Sequence, residues 1–181
     1  MMNKTIKHMD IKEFREQGFL QEANRLYFHP LGLALGRKTM INRFDEDYRF
    51  LSNFWLTPIV FERETYPSTE HAYQAAKTLD KEARMAIRGL NSPGKAKRAG
   101  MKVALRPDWE SIKNDIMLNL IREKFKNPEL KQKLIDTKDE ELVEGNTWGD
   151  MYWGMVEKDG QWVGENMLGK MLMQVRYEIT I

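Results

Sequence analysis

Cysteine is absent from the 181 residues. Disulfides, thiolate metal sites and a thiol nucleophile are therefore excluded, and the composition suits a reducing compartment. Histidine is scarce, with three residues far apart in sequence, so no imidazole-rich metal centre and no cofactor are expected. No apolar run is long enough to span a bilayer, and no leader pattern opens the chain. A soluble cytoplasmic protein with no membrane partner is the expectation. An excess of one charge is also lacking: 29 Lys and Arg against 27 Asp and Glu leave a net charge of +2. That is too small to argue for nucleic-acid binding by itself, so local clustering must carry any such argument. Repeats and low-complexity tracts are missing too.

What is present suits one domain with an appended segment. Residues 1–40 read as an N-terminal helical arm. Asp10 to Glu13 form a possible capping box, and Phe14, Phe19, Leu20, Leu26, Tyr27 and Phe28 ask for burial on the domain or on a second copy, which leaves the oligomeric state open. Residues 41–181 read as the main domain, an α+β fold that is mostly helical with short strands. Pro58 to Phe61 suggest a strand and residues 62–65 a turn. A long helix after Asp108, its expected cap, carries Ile112, Ile116, Met117, Leu120, Ile121 and Phe125 at core spacing. Leu142 to Glu144 look like a strand, residues 158–163 like a hairpin, and Asn166 leads into a final helix.

The chain is organised around Tyr66 to Lys77. Pro67 and Ser68 mark a helix start, and a helix from about Thr69 to Leu79 follows. Ala72, Ala75, Ala76 and Leu79 make an apolar face. Glu70, Tyr73, Gln74 and Lys77 share the opposite one. Glu70 lies in the first turn, where the helix dipole favours its ionised form. Acids at helix starts and Lys on solvated faces are also ordinary, so the pattern reads equally as an exposed helix surface. Lys95, Lys97, Arg98, Lys102 and Arg106 follow without an intervening acid. Beside the helix start at Ser92–Gly94 they suit a phosphate, whereas Lys97 and Lys102 read as solvated. Residues 145–154 combine three glycines with three large aromatics around Asp150. Glycines admit close backbone approach and aromatics offer flat faces, although an Asp in such a stretch is normally a turn residue. Asn53 in Ser52–Phe54 is likewise either a turn residue or a ligand contact.

Six stretches occur in order: Ser52–Phe54, Tyr66–His71, Leu105–Trp109, Asp150–Gly154, Asn166–Gly169 and Leu172–Arg176. Together they closely resemble the NADAR (YbiA-like) family over about residues 41–178. The resemblance implies a YbiA-like domain and an N-glycosidase that cleaves a ribose–base bond. The implied substrates are ADP-ribosylated guanine in DNA, with single-stranded DNA as a possible partner, or phosphoribosylated riboflavin-biosynthesis intermediates as nucleotide-like small molecules. Such a reaction needs a carboxylate near the sugar, a proton for the base and activated water. Glu70 is then the main carboxylate, Asp150 positions water or ribose, and Lys77 assists by hydrogen bonding or as an amine nucleophile. Tyr73, Trp109 and Trp153 would sandwich base or sugar. Arg106 would hold phosphate, and Asn53, Phe54 and Asn166 would touch the ligand. The rival from the same residues is a non-catalytic ADP-ribose or nucleotide-binding module, which would not need both carboxylates.

Overall fold

The computed structural model describes residues 39–181. The expected arm, but for its last two residues, lies outside them. The described part is the anticipated α+β arrangement, dominated by helices, with strands that pair only in twos. Strand β1 (Met40–Ile41) pairs in parallel with β4 (Glu141–Leu142), which ties the start of the domain to a segment far along the chain. A short 3-10 turn over Glu46–Leu51 buries Phe50 and Leu51. Strands β2 (Leu56–Phe61) and β3 (Glu64–Ser68) form an antiparallel hairpin. Its turn is tighter than residues 62–65: Glu62 and Arg63 both take positive φ, at 49° and 69°, and Glu64 already belongs to β3. Two central residues of positive φ give a turn whose twist matches that of the strands.

Helix α1 (Thr69–Ala76) leaves β3 directly. Ser68 caps it, its Oγ accepting the His71 N–H at 3.3 Å. The helix ends three residues before Leu79, which is exposed. Asp80 then caps a separate helix, α2 (Lys81–Arg88), by accepting the Glu82 and Ala83 N–H groups. Helix α3 (Pro93–Gly100) starts at Ser92 with Pro at its first position, where the missing N–H costs nothing. The long helix α4 (Trp109–Lys124) follows. Asp108 precedes it without capping through its side chain, because that carboxylate is paired with Arg106. Helix α5 (Pro128–Asp136) is capped by Asn127. The hairpin of β5 (Val156–Lys158) and β6 (Gln161–Val163) precedes the final helix α6 (Met167–Thr180).

Helix α1 is the hub. It packs on α2, α3, α4 and both strands of the first hairpin, and all eight of its residues are buried. The expected split into an apolar and an exposed polar face therefore gives way to burial on every side. Ala72, Ala75 and Ala76 let neighbours approach closely. Gly100 does the same from α3, since a Cβ there would collide with the Gln74 side chain. Ile116, Met117, Leu120 and Ile121 bury the expected face of α4, each contributing about 1.5–3 kcal/mol over exposure. Among the described residues no helix is long and apolar enough to cross a membrane.

Candidate active site

The start of α1 is held from two directions. Ser68 supplies the cap, and the Asn53 carbonyl accepts the Glu70 N–H at 3.0 Å. Two first-turn donors that the helix itself leaves unpaired are thus satisfied. The Ser52–Asn53 turn is fixed in its own right: the buried Lys124 Nζ donates to the Ser52 carbonyl at 2.8 Å. His71 is structural. Its Nε2 faces the Leu90 carbonyl at 3.0 Å, and a carbonyl only accepts, so that nitrogen carries the proton. Its Nδ1 then accepts from Ser68 Oγ at 2.8 Å.

Glu70 is almost fully buried and its Oε1 accepts from Gln74 Nε2 at 2.8 Å, one helical turn on. Burial pulls its carboxyl above the ordinary range. The Gln74 hydrogen bond and the Lys97 and Lys77 charges oppose this, while Asp150 adds to it. The expectation of a carboxylate ionised by the helix dipole alone is corrected accordingly, because desolvation dominates. Lys77 follows at the end of α1, half-buried, with Nζ 5.7 Å from the centre of the Tyr73 ring. Burial lowers its pKa, and the Glu70 charge partly restores it. Lys97, read from sequence as solvated, acts on both groups and has its Nζ 5.6 Å from the centre of the Trp148 ring.

The aromatic residues do come together, but not as an open sandwich. Tyr73 meets Trp109 with ring centres 5.1 Å apart and planes at 56°. It meets Trp153 edge-on at 5.5 Å, and Trp153 meets Tyr152 edge-on at 5.1 Å. The rings fill one another's space with edge-to-face geometry. Trp109 is only 5 % exposed, so it is core in this structure. Burial and the Glu70 charge raise the Tyr73 hydroxyl far above its ordinary pKa, so it stays a neutral phenol. The flat surface that remains free is Trp148, 66 % exposed. Phe54 is also exposed.

Other expected contacts are spent inside the protein. Arg106 Nε and Nη2 grip both oxygens of Asp108, at 2.7 and 3.0 Å, so its fork does not point unpaired at a phosphate. Asn166 is buried in the left-handed region, with φ of 51°. Its Nδ2 donates to the Leu142 carbonyl at 2.9 Å and its Oδ1 accepts the Glu144 N–H at 3.1 Å. It ties the end of β4 to the start of α6. The Asn53 amide is buried too, with Nδ2 3.5 Å from the Met117 sulfur. Asp150 closes a turn, its Oδ1 accepting the Tyr152 and Trp153 N–H groups at 3.1 and 2.9 Å. Among the described residues no three His, Asp or Glu side chains are grouped to hold a metal ion.

Residues that the sequence reading missed complete the constellation. Glu144 interacts with Glu70, Asp150 and Lys97. Lys97 and Trp148 join it, as does Gln74, which was placed on the right helix face but given no role. Gln74 could have been found from its four-residue spacing to Glu70. Trp148 is one of the three aromatics of the Gly-rich stretch, whereas Glu144 carries no local signal.

Known proteins bear on this arrangement directly. The model of the NADAR domain matches residues 40–180. The chain belongs to the NADAR family. It is 39% identical to the N-glycosidase YbiA of Escherichia coli (strain K12) over 148 residues, which is 79% of this chain and 90% of that protein. The NMR structure of E. coli YbiA matches with a TM-score of 0.69 at 38% identity, covering 81% of this chain and 88% of that one. A riboflavin biosynthesis protein of Vibrio vulnificus (strain YJ016) is 35% identical over 138 residues, 75% of this chain but 36% of the longer protein. N-glycosidases are hydrolases of N-glycosyl compounds, and this NADAR chain takes its place among such enzymes.

Proposed function

We propose that this protein hydrolyses the bond between a ribose carbon and a base nitrogen, and that its substrate is ADP-ribose attached to guanine in DNA. The observation that carries the reading is the buried Glu70 carboxyl between Lys77 and Lys97, with the exposed Trp148 ring beside Lys97. Breaking the bond builds positive charge on the sugar carbon and negative charge on the departing base. A carboxylate in a low-dielectric site steadies the first and can take a proton from attacking water. Lys77 and Lys97 offset negative charge from phosphates, and Trp148 offers a face on which a base can stack. Asp150 has one oxygen committed to its turn and a second free to position water or a ribose hydroxyl. Lys77 acts here through its charge. Trapping with borohydride tests the alternative, in which its amine attacks an opened ribose, and a covalent adduct at Lys77 would favour that route.

A second substrate class has support of its own, because the similarity extends to a protein named for riboflavin biosynthesis. A phosphoribosylated intermediate offers the same ribose–nitrogen bond without a nucleic-acid strand. Side-by-side incubation with ADP-ribosylated single-stranded DNA and with the phosphoribosylated intermediate, followed by chromatography, separates the two. Release of ADP-ribose from DNA at the higher kcat/KM supports the proposal. Faster cleavage of the small molecule moves the assignment to the second class. Tight binding of both without release would make the protein a binding module.

A further inference from the structure

We propose that Glu144 is a second catalytic carboxyl of this site, the group that delivers a proton to the departing base while Glu70 serves the sugar and the water. The inference rests on the N-glycosidase reading above and adds to it a residue that the sequence motifs do not single out.

Glu144 is held in place without using its side chain. Its N–H donates to Asn166 Oδ1, and its carbonyl accepts the Met155 N–H at 3.0 Å. Gly154 packs directly on that carbonyl, where a Cβ would collide with it and with the Asn146 amide. The preceding residues Glu141 and Leu142 are paired with β1. A backbone this constrained fixes where the side chain starts, which is what a catalytic group requires. The Glu144 carboxyl itself takes no hydrogen bond from any described residue, in contrast to Glu70 and Asp150, which both accept one or more.

The charged groups that face Glu144 come from each neighbouring element: Glu70 from α1, Asp150 from the Gly-rich loop and Lys97 from α3. Two are negative and one positive. Burial acts in the same direction as the two acids and pushes the Glu144 carboxyl up to about 8. Glu70 differs by having a hydrogen-bond donor and two cations on its side. When two interacting carboxyls share a site, the one with less support for its charge keeps the proton. Glu70 has the Gln74 amide bonded to its carboxyl and Glu144 has no such donor, so the acid role falls to Glu144 and the base role to Glu70.

The step balances. The bond between the sugar carbon and the base nitrogen breaks, and its electron pair leaves with the base. The Glu144 proton passes to the base. Water forms the new bond to the sugar carbon and gives a proton to the Glu70 carboxylate. The products are the free base and the sugar with a new hydroxyl. The proton on Glu70 returns to Glu144 through solvent once the products have left.

Glu144→Gln keeps the shape and removes the proton donor. Its kcat should fall about 10²- to 10⁴-fold, with KM near that of the wild type, and its pH profile should lose the limb in which activity falls as pH rises through about 8. Glu144→Asp, which keeps a carboxyl, should recover part of the rate. A Gln variant within threefold of the wild type with the same pH profile overturns the proposal. So does equal loss in Gln and Asp variants accompanied by a lower melting temperature, since that is the signature of a purely structural residue. A carboxyl-carbon NMR titration of the wild type judges the proposal without turnover: the Glu144 resonance should shift near pH 8, and a midpoint in the ordinary glutamate range refutes it. A wild type that cleaves no N-glycosyl bond would sink the parent reading, whatever that titration gives.

Discussion

Glu70 and Glu144 bring the same functional group to one site from two very different backbones. Glu70 sits in the first turn of α1, where a serine cap and an amide one turn along fix it by rules of short range, with one further tie to the Asn53 carbonyl. Glu144 stands two residues past the end of a two-residue strand, where side chains from distant segments take the place of a ladder. Asn146 bonds both the N–H and the carbonyl of Asp150, and also the Met155 carbonyl. Asn166 bonds Leu142 and Glu144. The helix carboxyl also has hydrogen-bond and cationic support for its charge, and the loop carboxyl has little. Local geometry thus accompanies the form that can act as a base, and long-range bracing the form that can act as an acid.

The most severe way to break this comparison is Glu70→Gln. The change removes charge and almost no volume, and the new amide can still accept from Gln74. Turnover should fall about 10²- to 10⁴-fold while the melting temperature stays within a few degrees of the wild type. Release of base measured by chromatography, with thermal melts on the same samples, checks both halves. Wild-type rates would remove Glu70 from the chemistry.

Trp109→Ala comes next. From the motif alone its ring stacks on the substrate, whereas the structure seals it against Tyr73 at the head of α4. Emptying such a site costs about 3–5 kcal/mol of stability. Denaturant titration should show that loss, and affinity per folded molecule for ADP-ribose should change far less. A weakened ligand affinity at unchanged stability would return the ring to the binding surface.

This difference marks what was legible in the sequence. The helix starts at Ser68 and Ser92, the core face of α4, the turn before β6 and the final helix all obey local or periodic rules and are legible in the sequence. The helix through Leu79 was drawn too long because Thr78 and Asp80 begin a new cap, Asp80 accepting from residues that follow it. Glu70, Lys77 and Asp150 were named and do share one electrostatic neighbourhood. Arg106 and Asn166 already have partners within the protein, which a motif does not reveal, because it does not say whether a polar side chain faces a ligand or its own backbone. Lys97 was misread for a related reason: within a basic run nothing local separates the one lysine that turns inward. Glu144 was invisible because its partners are scattered from α1 to α6.

Asn166→Ala probes the long-range half of the comparison. It orphans the Leu142 carbonyl and the Glu144 N–H, each at a cost of about 1–3 kcal/mol. The denaturation midpoint should fall accordingly. Activity at equal folded concentration should drop too, because Glu144 loses its anchor, while the affinity of a nucleotide ligand should be nearly unchanged. If affinity alone falls, Asn166 touches ligand after all.

The smallest effect is expected from shortening the chain at its start. Every side chain assigned to the site lies between Asn53 and Asn166, and the family match begins at residue 40. A protein beginning at Thr39 should therefore cleave substrate at the wild-type rate per folded molecule. A protein beginning at Arg43 is the informative contrast. It lacks β1, so the Val143 N–H loses the Ile41 carbonyl that it meets at 2.8 Å, and Leu142 loses its strand partner. Gly145 also loses the Asn42 carbonyl against which it packs. All three losses fall on the segment that carries Glu144, and none touches the cap of α1. The second truncation should thus reduce stability and disturb the Glu144 titration while the ring contacts of Tyr73 persist. Melting curves and carboxyl NMR on both proteins make the comparison. A soluble, folded protein starting at Thr39 with no activity would show that the first 38 residues contribute to catalysis, and the boundary drawn near residue 40 would then be wrong.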